Sequence, residues 1–284
     1  MDTFLYSNLM INFENMEKGQ LIFIGLGLYD ENDITLKGLN ELKNCNKVFA
    51  EFYTSKLVGF NKSYFEKNIG NTINVLSRSE SEKGEKILKY AQTEKVAFLV
   101  CGDPMIATTH VDLRIRAIKK GIETKIIHSG SIVTAAPGLL GLQNYKFGRT
   151  TTLAFPEKEY FPTSQYQVIK QNKEMGLHSL VLLDIQADEN LFMTANQGME
   201  LLLKMEKKLK ENVITEETVV CVVGQAGSDK PISEANTIIN LLNKDFGQPL
   251  HCIVIPGKLH FMEIDALETF ANLPPLISKK LQKL

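Results

Sequence analysis

Short apolar runs closed by glycine or a polar turn recur along the chain, alternating with segments where apolar residues return every three or four positions. Leu21–Ile24, Lys47–Phe52, Val96–Val100 and Thr124–His128 read as strands, the first and third apolar enough to be buried on both faces of a parallel sheet. Between them, Leu36, Leu39 and Leu42 fall at helical spacing behind Asp33 or Thr35 as N-cap. Lys83–Gln92 reads as a helix, and Asp112–Lys120 as a basic helix stopped by Gly121. After the turn Ser129-Gly130-Ser131, Ile132–Leu142 forms a helix of small residues in which Pro137 predicts a kink or an early end. The second half continues with strands at Thr150–Phe155, Ser179–Ile185, Thr218–Val223 and Leu250–Ile255. Its helices are expected at Ser164–Glu174, Asn190–Lys210, Ser233–Asn243 and Met262–Ala271.

Strands alternating with helices predict two α/β domains with mainly parallel sheets and helices on both faces. A break near Ser129–Gly130 gives an N-terminal extension over residues 1–20, a domain over 21–129 and a second over 130–284. The extension shows no clear period.

Composition narrows the function classes. The 284 residues suffice for two domains with cores of their own, and the formal net charge of -1 carries no global nucleic-acid footprint. No apolar run approaches the ~20 residues of a membrane span, and no positive region precedes an apolar stretch at the N-terminus. Cys45, Cys101, Cys221 and Cys252 form no Cys-x-x-Cys pair, and three lie inside strand-like runs, which predicts buried reduced thiols and a cytoplasmic setting. The five histidines show no metal-ligand spacing, so no metal is expected.

In sheets of this kind ligands bind beyond the carboxyl ends of the strands, where three segments stand out. Gly25-Leu26-Gly27-Leu28 reads equally as a structural turn or a ligand contact, since the third glycine of a dinucleotide fingerprint is replaced by Asp30. Gly102-Asp103-Pro104 places a carboxylate at a strand end, able to accept from a ribose hydroxyl or an ammonium, or merely to cap the next helix. Ser129-Gly130-Ser131-Ile132 can offer backbone N–H groups to a carboxylate, or cap its helix through Ser131.

These segments, taken with others in the same order, resemble the diphthine synthase family. The likeness runs from Leu21 to Met262. It is carried by Phe23–Asp30, Asp33–Leu39, Phe49–Ser55, Gly102-Asp103-Pro104 with Ala107–His110, Tyr145–Gly148, Phe161–Ser164, Gly176-Leu177-His178, Leu182–Ile185, Met193–Asn196 and Pro256–Phe261. The resemblance implies a tetrapyrrole methylase-like fold with S-adenosylmethionine in the interdomain cleft, usually in a homodimer. It places cofactor contacts at Leu28, Asp103, Ile106, Ser131, Ile132, Leu182 and His260, with Ala226 and Ala235 as further contacts. It implies as substrate a histidine of translation elongation factor 2 already carrying an amino-carboxypropyl group. That amine is methylated repeatedly to the trimethylated product, and eukaryotic members also form a methyl ester.

Tyr53-Thr54-Ser55, a hydroxyl-rich turn after the second strand, is the candidate for the acceptor side, and Thr54 or Ser55 is expected to orient the substrate. Lys146, Arg149 and Lys258 are candidate partners for the substrate carboxylate by location, Lys146 foremost, though each reads first as surface charge. No residue stands out as general base. Two alternatives remain: a nicotinamide-dependent oxidoreductase using Gly25-x-Gly27 and Glu51 as ribose acid, and a non-catalytic relative that binds elongation factor 2 only.

Overall fold

Strand β1 (Gln20–Gly25) is apolar from Leu21 to Ile24 because both of its faces are covered, and each of these residues is fully buried. The structure, a computed structural model, describes residues 19–156 and 161–283; residues 1–18 of the expected extension 1–20 lie outside them. The chain forms two compact units, one of residues 19–27, 31–54 and 60–130, the other of 28–30, 55–59 and the described residues from 131 onward.

In the first unit β1 lies between β4 (Lys95–Val100) and β5 (Glu123–Ile127); β2 (Lys47–Glu51) and the edge strand β3 (Ile73–Leu76) complete the order β3-β2-β4-β1-β5. Every pair is parallel, as the alternation predicted. Helix α1 (Leu36–Lys43) starts where Thr35 accepts the Gly38 N–H at 3.1 Å. Helix α2 (Lys62–Ile69) follows β2, the pair α3 (Arg78–Lys83) and α4 (Glu85–Ala91) meets at Gly84, and α5 (His110–Lys119) leads to β5. Phe23, Phe49 and Phe98 anchor the core beneath, with Phe23 and Phe98 edge to face at 6.1 Å. The reading missed β3 and α2: in β3 Asn74 and Val75 both face solvent, leaving neither a continuous nor an alternating apolar run.

The second unit opens on α6 (Ile132–Leu140), which ends two residues earlier than expected, Gly141 closing it in the left-handed conformation four residues after Pro137. Its sheet has the order β11-β10-β12-β7-β6: β6 (Thr151–Leu153), β7 (Ser179–Leu183), β10 (Val219–Gly224), β11 (Ile232–Thr237) and β12 (His251–Ile255). Here the expectation of mainly parallel pairing is corrected. Only β6–β7 is parallel; β7–β12, β12–β10 and β10–β11 are antiparallel. The helix expected at Ser233–Asn243 is largely β11, with a short α9 (Ile238–Leu241) after it. Residues 225–231 are too few for a parallel crossover, so the chain returns as a hairpin, and pairing with β10 overrides the weak strand propensity of Glu234, Ala235 and Asn236.

Side chains on this sheet alternate strictly. Val181, Val222 and Ile253 face a cluster with α7 (Ser164–Glu174) and α8 (Ala195–Leu209). Leu180, Val223 and Val254 face the other cluster, which includes Leu140 of α6 and Leu267 of α10 (Phe261–Phe270), with α11 (Pro275–Leu281) beyond. Helix α8 begins at Ala195 rather than Asn190 because residues 185–192 form the small hairpin of β8 (Ile185–Gln186) and β9 (Leu191–Phe192). All four cysteines are free and buried, as expected.

Candidate functional site

In the first unit, loops after β1, β4 and β5 converge at the carboxyl ends of three neighbouring strands. Gly27 and Gly102 bridge one another, the Gly102 N–H donating to the Gly27 carbonyl at 2.6 Å, and both hold positive φ (84° and 70°). A Cβ on Gly25 would sit 2.5 Å from the Gly102 carbonyl oxygen, and one on Gly27 2.2 Å from Asp33 Cβ. Packing among the loops themselves therefore requires these glycines.

Asp103 does not cap a helix: α5 begins only at His110. Its buried carboxylate accepts the Met105 N–H at 3.0 Å through Oδ1, and through Oδ2 the Ser129 N–H at 3.3 Å and His128 Nδ1 at 2.7 Å. Asp103 thus ties the loop after β4 to the loop after β5. A carboxylate has about four acceptor positions, so three donors leave capacity for one more. Ile106, three residues on, presents an exposed apolar side chain.

Glu51 ends β2 beside Val100 of β4 and is completely buried. It accepts the N–H groups of Tyr53 and Thr54, each at 3.0 Å, and the Thr54 hydroxyl. Burial raises its pKa, with the Thr54 and Tyr53 donors opposing. Enclosed in this way it cannot serve as a ribose acid, which removes the main ground for the oxidoreductase reading. His110 lies across from it, with Nε2 3.8 Å from Glu51 Oε1 and Nδ1 3.2 Å from the Pro104 carbonyl.

The second unit gathers several expected contacts on one apolar cluster. Leu28, Ile132 and Leu182, all partly buried, pack with buried Ala226 and Ala235. Ser131 is the N-cap of α6, accepting the Val133 N–H at 3.3 Å. Ala226 sits in the turn between Gln225 and Gly227, both at positive φ. Ala235 is only 1% exposed and its N–H donates to the Ala271 carbonyl at 2.6 Å, so its methyl belongs to the core. His260 is exposed and caps α10: its Nδ1 accepts the Met262 N–H at 3.4 Å and its ring lies 4.2 Å from that of Phe261.

Beneath His260 lies an ionic knot. Glu263 is fully buried, and its oxygens accept the His260 N–H at 2.8 Å, the Gln143 N–H at 3.0 Å, His178 Nε2 at 3.0 Å and Lys146 Nζ. Burial alone would raise this carboxyl, but the His260 and Gln143 N–H groups, Lys146 and His178 together bring it down to about 2. The Gly257 N–H donates to His178 Nδ1 at 3.0 Å, which leaves the proton on Nε2, toward Glu263. Burial pushes the His178 pKa down, against the pull of Glu263, and favours this neutral form. Lys146 also reaches the Lys258 carbonyl at 2.6 Å, so its ammonium is committed within the knot, not presented as a carboxylate clamp. Lys258 and Arg149 are exposed. The reading named neither Glu263 nor His110 as functional; the spacing His260-x-x-Glu263 before an apolar run is a capping-box signal.

Among the described residues, Tyr53 and Thr54 belong to the first unit and Ser55 to the second, where the Gly59 N–H meets the Tyr29 carbonyl at 2.9 Å. Among the described residues no group of three or more His, Cys, Asp or Glu able to hold a metal occurs, and no helix is long and apolar enough to cross a membrane. Taken by itself, the first unit offers a buried carboxylate with spare acceptor capacity, which suits hydroxyl groups; the second, by itself, offers partly uncovered Leu and Ile side chains, which suit an apolar ring.

Residues 20–240 match the family of tetrapyrrole (corrin/porphyrin) methylases. The chain is 55% identical over 251 residues to a diphthine synthase of Methanocaldococcus jannaschii, covering 87% of this chain and 97% of that one. It is 49% identical over 261 residues to a diphthine synthase of Methanothermobacter thermautotrophicus, covering 92% and 99%. A crystal structure of diphthine synthase superposes with a TM-score of 0.82 at 35% identity, over 92% of this chain and 99% of that one.

Proposed function

Because the chain belongs to the tetrapyrrole methylase family, and to its diphthine synthase branch, we propose that it methylates elongation factor 2 in diphthamide biosynthesis. It is an S-adenosylmethionine-dependent methyltransferase. The observation that carries the reading is near-complete coverage of diphthine synthases at about half identity, over the segments that hold Asp103, Ser131 and Leu182. The acceptor is the amine of an amino-carboxypropyl group on a histidine of the factor, methylated until it is trimethylated. With its four cysteines free and buried, the enzyme acts in the cytoplasm, and it acts as a homodimer.

The cofactor supplies an activated methyl group when bound; the chain binds and orients. Asp103 and Ile106 of the first unit would hold the cofactor by a hydrogen bond and apolar contact, and Leu28, Ile132, Leu182 and Ala226 of the second would each offer apolar contact. Ser131 holds the start of α6, and His260, fixed by Glu263, stands at the start of α10. Orientation alone is worth up to ~7–11 kcal/mol in well-placed systems, so little covalent help is needed.

The test is the intact mass of elongation factor 2 from cells blocked at this step, incubated with the protein and S-adenosylmethionine. Three methyl units are expected, and a fourth would mark the methyl ester. No gain, with cofactor binding intact by calorimetry, would remove the acceptor assignment. Sedimentation of the protein alone checks the dimer.

A further inference from the structure

Each transfer to an amine needs a lone pair, so an ammonium acceptor must first shed a proton. Resting on Tyr53-Thr54-Ser55 as the acceptor-side candidate, we propose that Thr54 and Glu51 take that proton, with His110 facing Glu51 from behind.

The direction of the relay is fixed by hydrogen-bond chemistry. A hydroxyl has one hydrogen to donate and two lone pairs. Thr54 donates its hydrogen to Glu51 Oε1, so the lone pairs are what it offers to an acceptor amine. Glu51 Oε2 is occupied by the N–H groups of Tyr53 and Thr54, which leaves Oε1 to receive a proton. The Pro104 carbonyl can only accept, so His110 Nδ1 carries the ring hydrogen. His110 Nε2 is consequently an acceptor, buried and without a hydrogen-bond partner among the described residues, and it faces Glu51 Oε1 at 3.8 Å. Two buried acceptors thus face one another across 3.8 Å with no hydrogen bond between them, and Thr54 is the hydroxyl that feeds a proton to Glu51.

The step balances. An N–H bond of the ammonium breaks and its proton passes to Thr54 Oγ. The Thr54 hydrogen passes to Glu51 Oε1, so the amine and the carboxyl both end neutral. Burial raises Glu51 and lowers His110, favouring the neutral form of each. Burial lifts the Cys101 thiol well above its usual value, and burial with the Glu51 charge raises the Tyr53 phenol. Arg78, over the Tyr53 ring at 5.9 Å, is paired with Glu82. His110 begins α5 at the end of the Asp103 loop, so the same pair also positions that loop against the Tyr53-Thr54 turn.

Single-turnover methyl transfer to the unmethylated factor, followed from about pH 6 to about pH 10, tests the relay. Glu51→Gln keeps shape and gives His110 Nε2 a donor; Thr54→Val removes the hydroxyl, and Thr54→Ser restores it. Both E51Q and T54V are expected to be about 100-fold slow near neutrality, the deficit shrinking about tenfold per pH unit as the amine ionises unaided. T54S should follow the wild type. A deficit equal at every pH, or none, overturns the relay, and T54V decides alone should E51Q fail to fold. Independently of turnover, imidazole nitrogen NMR of the protein by itself should find His110 as the Nδ1–H tautomer; the Nε2–H tautomer would overturn it. A wild type that transfers nothing overturns the proposed function and the relay together, whereas an active wild type with pH-independent deficits overturns the relay only.

Discussion

Among the described residues each unit holds a fully buried glutamate beside a histidine, and the two behave in opposite ways. Glu263 receives four donors, one of them the cationic Lys146, and its carboxyl is held down at about 2. Glu51 receives three neutral donors and faces an acceptor nitrogen, and its carboxyl is pushed up. Both are sealed from solvent, but Glu51 lies deeper than Glu263, so depth of burial decides together with the charge and number of donors. One carboxylate is a permanent anion that ties chain segments together; the other is poised to take up a proton.

The largest consequence falls on Glu263. Glu263→Ala leaves Lys146 without its partner in a buried knot and should cost about 3–5 kcal/mol in denaturant unfolding. A loss near 1 kcal/mol would put Glu263 on the same footing as a surface ion pair. Next comes acid. The folded value of Glu263 lies below the unfolded one, so its stabilisation is complete above about pH 5 and disappears as pH falls toward 2, a change of roughly 3 kcal/mol. Glu263→Gln should flatten that limb of the stability curve.

Asp103 stands between the two, with three donors and spare capacity. Asp103→Asn is expected to weaken S-adenosylmethionine binding by about 10- to 100-fold by calorimetry, on the scale of a hydrogen bond to a charged group. The smallest effect is on Glu51. Glu51→Gln keeps an acceptor for the backbone donors and adds one donor toward His110, so stability should change by no more than about 1 kcal/mol. A large loss there would erase the contrast with Glu263.

Much of the scaffold was legible because central strands declare themselves. Leu21–Ile24 and Val96–Val100 are apolar throughout, and burial on both faces accounts for it. Two of the four edge strands of the five-stranded sheets do not: Ile73–Leu76 half faces water, and Ile232–Thr237 is a strand chiefly through its pairing with Val219–Gly224. The same boundary runs through the site. Asp103 was recognisable at its strand end, and His260 from its surroundings. The roles of Glu51 and Lys146 were not, because His110 and Glu263 complete them from distant parts of the chain. Glu51 at the end of a strand looks alike in sequence whether it meets a ribose or a buried imidazole. Leu28, Ile132, Leu182 and Ala226 were named separately, and the structure collects them on one cluster in the second unit.

The four thiols give each unit a clock of its own. Cys45 and Cys101 lie in the first unit, Cys221 and Cys252 on neighbouring strands of the second, all shielded from solvent. Burial raises every one of them, Cys45 to about 11 and Cys252 to about 12, so alkylation has to wait until the surrounding strands part. Mass-resolved labelling would time the opening of each half separately and without a probe attached, since the residues that react are already buried in the cores whose opening they report.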